Sequence, residues 1–171
     1  MGVADMVRDA IVTEGGISKE EANNQIWLVD KHGLILKSHD DKINNAQRCY
    51  AKEDKDWEGV DTLNLKEIIA RVKPQVLVGT STKAGAFTEE VVREMARHVD
   101  RPAIFPLSNP TRLHEAHPGD INSWTEGKAL IATGSPFSPV EFNGKKYEVC
   151  RFLPLCPPHT RLTQLESIST S

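Results

Sequence analysis

No stretch of this sequence is long and apolar enough to span a bilayer. The longest apolar runs, such as Ala129-Leu130-Ile131-Ala132, fall far short of the roughly 20 residues a spanning helix needs. No block of like charge is present either. With 21 Lys and Arg against 24 Asp and Glu the formal charge is −3, and neither sign is concentrated enough to attract nucleic acid or anionic lipid. A soluble protein with neither partner is expected. The N-terminus, Met1-Gly2-Val3-Ala4-Asp5-Met6, lacks the basic start and apolar core of a secretory signal and carries an acid where a transit peptide avoids one. Cys49, Cys150 and Cys156 are odd in number and lack C-x-x-C spacing, so reduced, intracellular thiols are the simplest reading. The G-x-x-x-x-G-K-[ST] and H-E-x-x-H orders are missing, and no Ser, Cys or Lys stands in a context that marks a nucleophile.

What is present is an alternation of helical and strand patterns over a length that suits one domain. Val3, Met6, Val7, Ala10 and Ile11 line one helix face until Gly15-Gly16, and Ser18 with Glu21 forms a capping box that starts a short second helix. Ile26-Trp27-Leu28-Val29-Asp30 reads as a strand buried on both faces, with a turn at Lys31-His32-Gly33 and a short extension at Leu34-Ile35-Leu36. Residues 37–60 read as a long surface excursion with little regular structure. Asn64 and Glu67 look like an N-cap pair for a helix that Pro74 stops. Val76–Gly79, Ala103–Leu107 and Ala129–Ala132 are further apolar strands. Between the first two of these, Thr88 caps a helix with acids in its first turn and Arg97 and His98 in its last. Short, continuously apolar strands alternating with helices predict an α/β fold with a helix-covered parallel sheet. Residues 1–149 form the expected domain. From residue 150 to Ser171 the sequence diverges, and its aperiodic, Ser/Thr- and Pro-containing stretch is predicted to be a disordered tail.

In such sheets ligands bind beyond the carboxyl ends of the strands. Asp30 follows the first strand, where a carboxylate can accept from ribose hydroxyls or simply form a turn. Thr80 and Ser81 open the small-residue loop Gly79–Gly85, which is either a ligand-approach loop or an ordinary tight one. Asn109 follows the third strand, with Pro110 pushing its backbone toward extended conformation and the amide off the sheet edge. Thr133–Pro139 is a stiff loop of the same kind. His114-Glu115-Ala116-His117 suggests no third metal ligand and reads as a solvated face.

Taken together, Ile26-Trp27-Leu28-Val29-Asp30, Gly85-Ala86-Phe87-Thr88, Ile104-Phe105-Pro106-Leu107-Ser108-Asn109-Pro110-Thr111, Trp124-Thr125-Glu126-Gly127 and Ala132-Thr133-Gly134-Ser135-Pro136-Phe137 follow the order and spacing of the malic enzyme family. The chain resembles that family from Met1 to about Val149. The resemblance implies a Rossmann-like doubly wound parallel sheet lacking its first strand. It also implies oxidative decarboxylation of L-malate to pyruvate and carbon dioxide with NAD or NADP and a magnesium or manganese ion. Gly2 resembles the last glycine of the dinucleotide fingerprint and Asp30 the ribose-binding acid. Thr80 and Ser81 resemble the cofactor-contacting strand end, and Asn109, with Ser108 beside it, the asparagine that contacts malate and the nicotinamide side. In the family the general-acid tyrosine, the general-base lysine and the acidic metal ligands precede the matching segment. No catalytic residue or metal ligand is therefore assigned in this chain, and alone it is expected to be inactive. From Cys150 to Cys156 the sequence departs from the glycine- and asparagine-rich stretch with which the family completes the malate and nicotinamide site.

Asp30, suited to a free ribose hydroxyl, favours NAD over NADP although Lys31 stands beside it. The alternatives are a non-catalytic partner of full-length malic enzyme and a dinucleotide-binding domain of another dehydrogenase. Homo-oligomerisation, and the choice between mitochondrion and cytoplasm, are left open by the residues. The fingerprint strand should be central in its sheet, so the isolated chain is expected to be loosely folded or aggregation-prone.

Overall fold

The structure, a computed structural model, describes residues 2–39, 41–142, 144–147 and 149–151. The chain divides into two compact units, Met1–Val72 and Lys73–Ser171. The predicted tail beyond residue 151 lies outside the described residues. No helix among the described residues is long and apolar enough to cross a membrane.

The first unit opens with helix α1 (Val3–Gly15), which Gly16 closes in the left-handed conformation at φ 62°. That conformation costs a glycine little, as the end of a helix favours. The Ser18/Glu21 capping box starts α2 (Lys19–Asn24) as the sequence predicts. The segment after it differs from expectation. Only Val29–Asp30 is extended (β1), and it pairs antiparallel with Gly33–Leu34 (β2) rather than joining a parallel sheet. The reason is local: Gly33, at φ 85°, reverses the chain. Leu34 N–H then donates to the Thr62 carbonyl at 2.8 Å and Ile35 N–H to Leu28 at 2.8 Å. Val29 is left 43% exposed, not buried on two faces.

Burial falls instead on Leu34, Ile35 and Leu36. Leu34 and Leu36 pack with Trp57 and Ile68, against which Trp27, Val60 and Val72 also lie. Trp57 and the buried Tyr50 come from the stretch read as a surface excursion. That stretch carries helix α3 (Asn45–Arg48) and a 3-10 turn at Asp54–Trp57, so it closes the core of this unit. Helix α4 (Leu65–Val72) ends the unit. Asn64 caps it through the Lys66 N–H at 3.1 Å, whereas Glu67 reaches back to the Asp61 N–H at 2.9 Å rather than pairing with Asn64.

The second unit holds the expected sheet. Strands β3 (Val76–Gly79), β4 (Ala103–Pro106) and β5 (Leu130–Thr133) are parallel neighbours. Between β3 and β4 comes α5 (Glu89–His98), whose Thr88 cap accepts from Val91 N–H, and between β4 and β5 comes α6 (Pro118–Trp124). An antiparallel hairpin, β6 (Val140–Phe142) with β7 (Lys145–Tyr147), was not legible in the sequence. After it β8 (Cys150–Arg151) adds to β5 in parallel, giving the order β3-β4-β5-β8. Val92, Met95, Ile104 and Ile121 are fully buried between helices and sheet, each contributing about 1.5–3 kcal/mol. Parallel strands joined by helical crossovers make this a Rossmann-like α/β fold, and they bring the loops after β3, β4 and β5 to one edge.

Candidate functional site

That edge is built around a carboxylate. Glu115, read from sequence as part of a solvated face, is completely buried. Its Oε1 accepts from the Ser81 N–H at 2.9 Å, from the Ser81 hydroxyl at 3.1 Å and from the Ser108 hydroxyl. Its Oε2 accepts from Ser108 N–H at 3.4 Å. The side chain crosses the tip of β3 at Gly79, where an added Cβ would lie 2.5 Å from Glu115 Cδ. Only glycine leaves that path open. His114 is buried as well, its ring tilted at 50° to that of Phe137 with centroids 5.0 Å apart, and burial pushes its pKa down. His117 is the N-cap of α6, accepting from Gly119 N–H at 3.1 Å. The imidazoles thus serve packing and capping, and among the described residues no group of three His, Cys, Asp or Glu side chains is arranged to hold a metal ion.

Thr80, Ser81 and Asn109 are brought to this same strand edge. Asn109 is exposed, its peptide to Pro110 is cis, and its Oδ1 accepts from the Ser135 hydroxyl of the loop after β5. With Oδ1 engaged by Ser135, Nδ2 is the end left to donate. Gly134 permits the arrangement: a Cβ there would lie 2.7 Å from Asn109 Nδ2 and would collide with the Leu107 carbonyl. Ser135 and Glu115 are the members of this cluster that sequence reasoning did not single out. Their signal was faint, a serine in a stiff loop and one acid between two histidines.

In the first unit Gly2 is the N-cap of α1, its N–H held by Asp5 Oδ2 at 3.1 Å. The other Asp5 oxygen accepts from Tyr50 at 2.8 Å and from Arg8 at 2.9 Å. Asp30 is exposed at the end of β1, with Oδ1 accepting from Lys31 N–H at 2.7 Å and Oδ2 from Gln47 Nε2 at 3.2 Å. The Lys31 N–H chiefly, with the Gln47 amide, holds its carboxyl below the ordinary carboxylate range. Gln47 was also missed; it lies in α3, the same short segment that leads to Tyr50. One segment of the supposed excursion therefore touches both Asp5, the partner of Gly2, and Asp30 itself.

Residues 1–151 match the family described as Malic enzyme, NAD binding domain. The chain belongs to the malic enzyme family. It is 53% identical over 141 residues to the mitochondrial NAD-dependent malic enzyme of Saccharomyces cerevisiae, covering 82% of this chain and 21% of that protein. To NAD-dependent malic enzyme 3 of Bacillus subtilis it is 49% identical over 158 residues, covering 87% and 27%. To the malolactic enzyme of Lactiplantibacillus plantarum it is 41% identical over 150 residues, again covering 87% and 27%. The chain spans about a quarter of the length of these malic enzyme relatives. The resemblance read from the motifs is borne out, and the match extends through β8.

Proposed function

We propose that this chain is the dinucleotide-receiving part of a malate-decarboxylating oxidoreductase, that its cofactor is NAD, and that Gly2, Asp30, Thr80, Ser81 and Asn109 are the residues that meet cofactor or substrate. The observation that carries the reading is the strand edge of a matched NAD-binding domain presenting a fixed amide, with Asn109 Oδ1 taken by Ser135 and Nδ2 left to donate. An N–H donor so placed suits the carboxamide oxygen of a nicotinamide or the carboxylate of malate. Asp30 offers two oxygens that each hold one donor, with lone pairs remaining for the two hydroxyls of a ribose. Just after Gly2, whose own N–H Asp5 takes, the first turn of α1 offers backbone N–H groups of the kind that favour a pyrophosphate. Bound NAD would take the hydride from malate. The contribution of these residues is to bind and orient, while proton transfer and metal binding are assigned to parts of the family's proteins outside this sequence.

Titrating NAD into the purified chain and following amide chemical shifts tests this. Shifts are expected at Asp30, Thr80, Ser81 and Asn109, and their absence at saturating NAD overturns the reading. With malate, NAD and manganese the chain alone is expected to give no NADH. Steady NADH formation would refute the division of labour.

A further inference from the structure

We propose that Glu115 is a positioning residue: one buried carboxylate ties the tips of β3 and β4 together and thereby sets Ser81 and the Ser108-Asn109 pair in the arrangement that receives the dinucleotide. The proposal rests on the dinucleotide reading above and adds to it a residue that touches neither cofactor nor substrate.

Hydrogen-bond accounting makes the tie directional. Ser81 Oγ accepts from Lys83 N–H at 3.2 Å and Ser108 Oγ from Thr82 N–H at 2.9 Å. Each hydroxyl, already an acceptor, has its proton to give, and in both cases it goes to Glu115. Two backbone N–H groups complete the set. Four donors and no acceptor around one side chain are what a carboxylate satisfies and an amide does not. Thr82, at φ 56°, is the one non-glycine residue of its loop in the left-handed region, and the Ser108 hydroxyl holds its N–H.

The carboxylate is itself anchored through its backbone. Phe87 N–H donates to the Glu115 carbonyl at 3.0 Å and Gly85 N–H to that of His114 at 3.2 Å. The loop after β4 is thus stitched to the loop after β3 at main chain and side chain. Asn109 follows directly on the serine that is held. Removing the acceptor while keeping its volume should loosen these two loops without emptying the core.

The test is Glu115→Gln in the full chain, 15N-labelled, with NAD as the titrant. Exchange of the Ser81 and Ser108 amides should accelerate roughly tenfold or more while Val92 and Met95 in α5 keep their wild-type protection. The NAD dissociation constant should rise roughly tenfold. Wild-type NAD affinity in the variant overturns the proposal while leaving the dinucleotide reading intact. Uniform acceleration that includes Val92 and Met95 overturns it too, since that marks a general stabilising role. If the wild-type chain shows no NAD-dependent shifts, the dinucleotide reading fails and the proposal with it. Should Glu115→Gln not fold, Ser108→Ala takes its place: it removes one donor and the hold on Thr82, and unchanged NAD affinity there is equally fatal.

Discussion

Gln47 Nε2 donates to Asp30 Oδ2 at 3.2 Å, and the same Gln47 side chain accepts from the Asn44 N–H through Oε1 at 2.9 Å. The capping box of a four-residue helix therefore fixes the orientation of the amide that holds the proposed ribose-binding acid. Gln47→Glu keeps the oxygen that caps α3 but places a second carboxylate beside Asp30 in place of a donor. NAD affinity at neutral pH should fall roughly fivefold or more, with the thermal midpoint nearly unmoved because the site is exposed. A titration showing unchanged affinity would dismiss the role of Gln47.

The Asp5–Tyr50 pair should give the chain two pH edges. The Tyr50 hydrogen bond first, then the Gly2 N–H, hold Asp5 below its ordinary 3.8. Its folded pKa is lowered, so the stability it confers is present above about pH 4 and is lost as pH falls through the folded value. Burial first, then the bond to Asp5, push Tyr50 from 10.0 up to about 12. Here the folded pKa is raised, so its stability is intact below pH 10 and is lost between there and about 12. Tyr50→Phe should abolish the alkaline edge and lower the neutral midpoint by roughly 2–4 °C. An alkaline melt that is unchanged in the variant would contradict this.

What the sequence disclosed was whatever short-range chemistry decides. The Ser18/Glu21 box, the Thr88 cap and the helical stripe of α5 are contained within a few residues, and β3, β4 and β5 follow from short apolar runs between them. The strand-edge position of Thr80, Ser81 and Asn109 was legible because they stand just after those strands. Glu115 was not, since its burial depends on Gly79 lacking a side chain 36 residues away and on two serines closing over it. Trp27 and Val29 misled for a similar reason. A β-branched, aromatic run looks the same whether its partner is a parallel strand or a hairpin, and Gly33 decided for the hairpin.

Lys52 offers a further test in the first unit. Its ammonium donates to the Asn23 and Asn24 carbonyls, both at 3.0 Å, and lies 4.7 Å from the Trp27 ring, so it closes the end of α2. Burial lowers its pKa from 10.5 to about 8. A depressed folded value means the unfolded chain binds more protons between these limits, so the lysine's share of stability rises from about pH 8 to 10.5. Lys52→Met, which keeps the apolar stem, should flatten that rise and fray α2, read as faster exchange of the Gln25 and Ile26 amides. Denaturant melts that rise equally in both proteins across this window would refute the assignment.

Two substitutions in the loop after β5 should separate orientation from strain at Asn109. Ser135→Ala removes only the hydroxyl that donates to Asn109 Oδ1; the amide is exposed, so water replaces part of that bond and the loss is of freedom, not of fold. NAD affinity should drop roughly three- to tenfold, within about 1.4 kcal/mol, at an unchanged melting midpoint. Gly134→Ala is harsher, because its methyl would meet the Leu107 carbonyl and lie 2.7 Å from Asn109 Nδ2. Backbone at the tip of β4 must move to admit it, so both affinity and midpoint should fall, and by more than in the serine variant. If Ser135→Ala binds NAD as well as the wild type while Gly134→Ala still loses affinity, the edge depends on backbone fit, and the fixed-amide account of Asn109 is wrong.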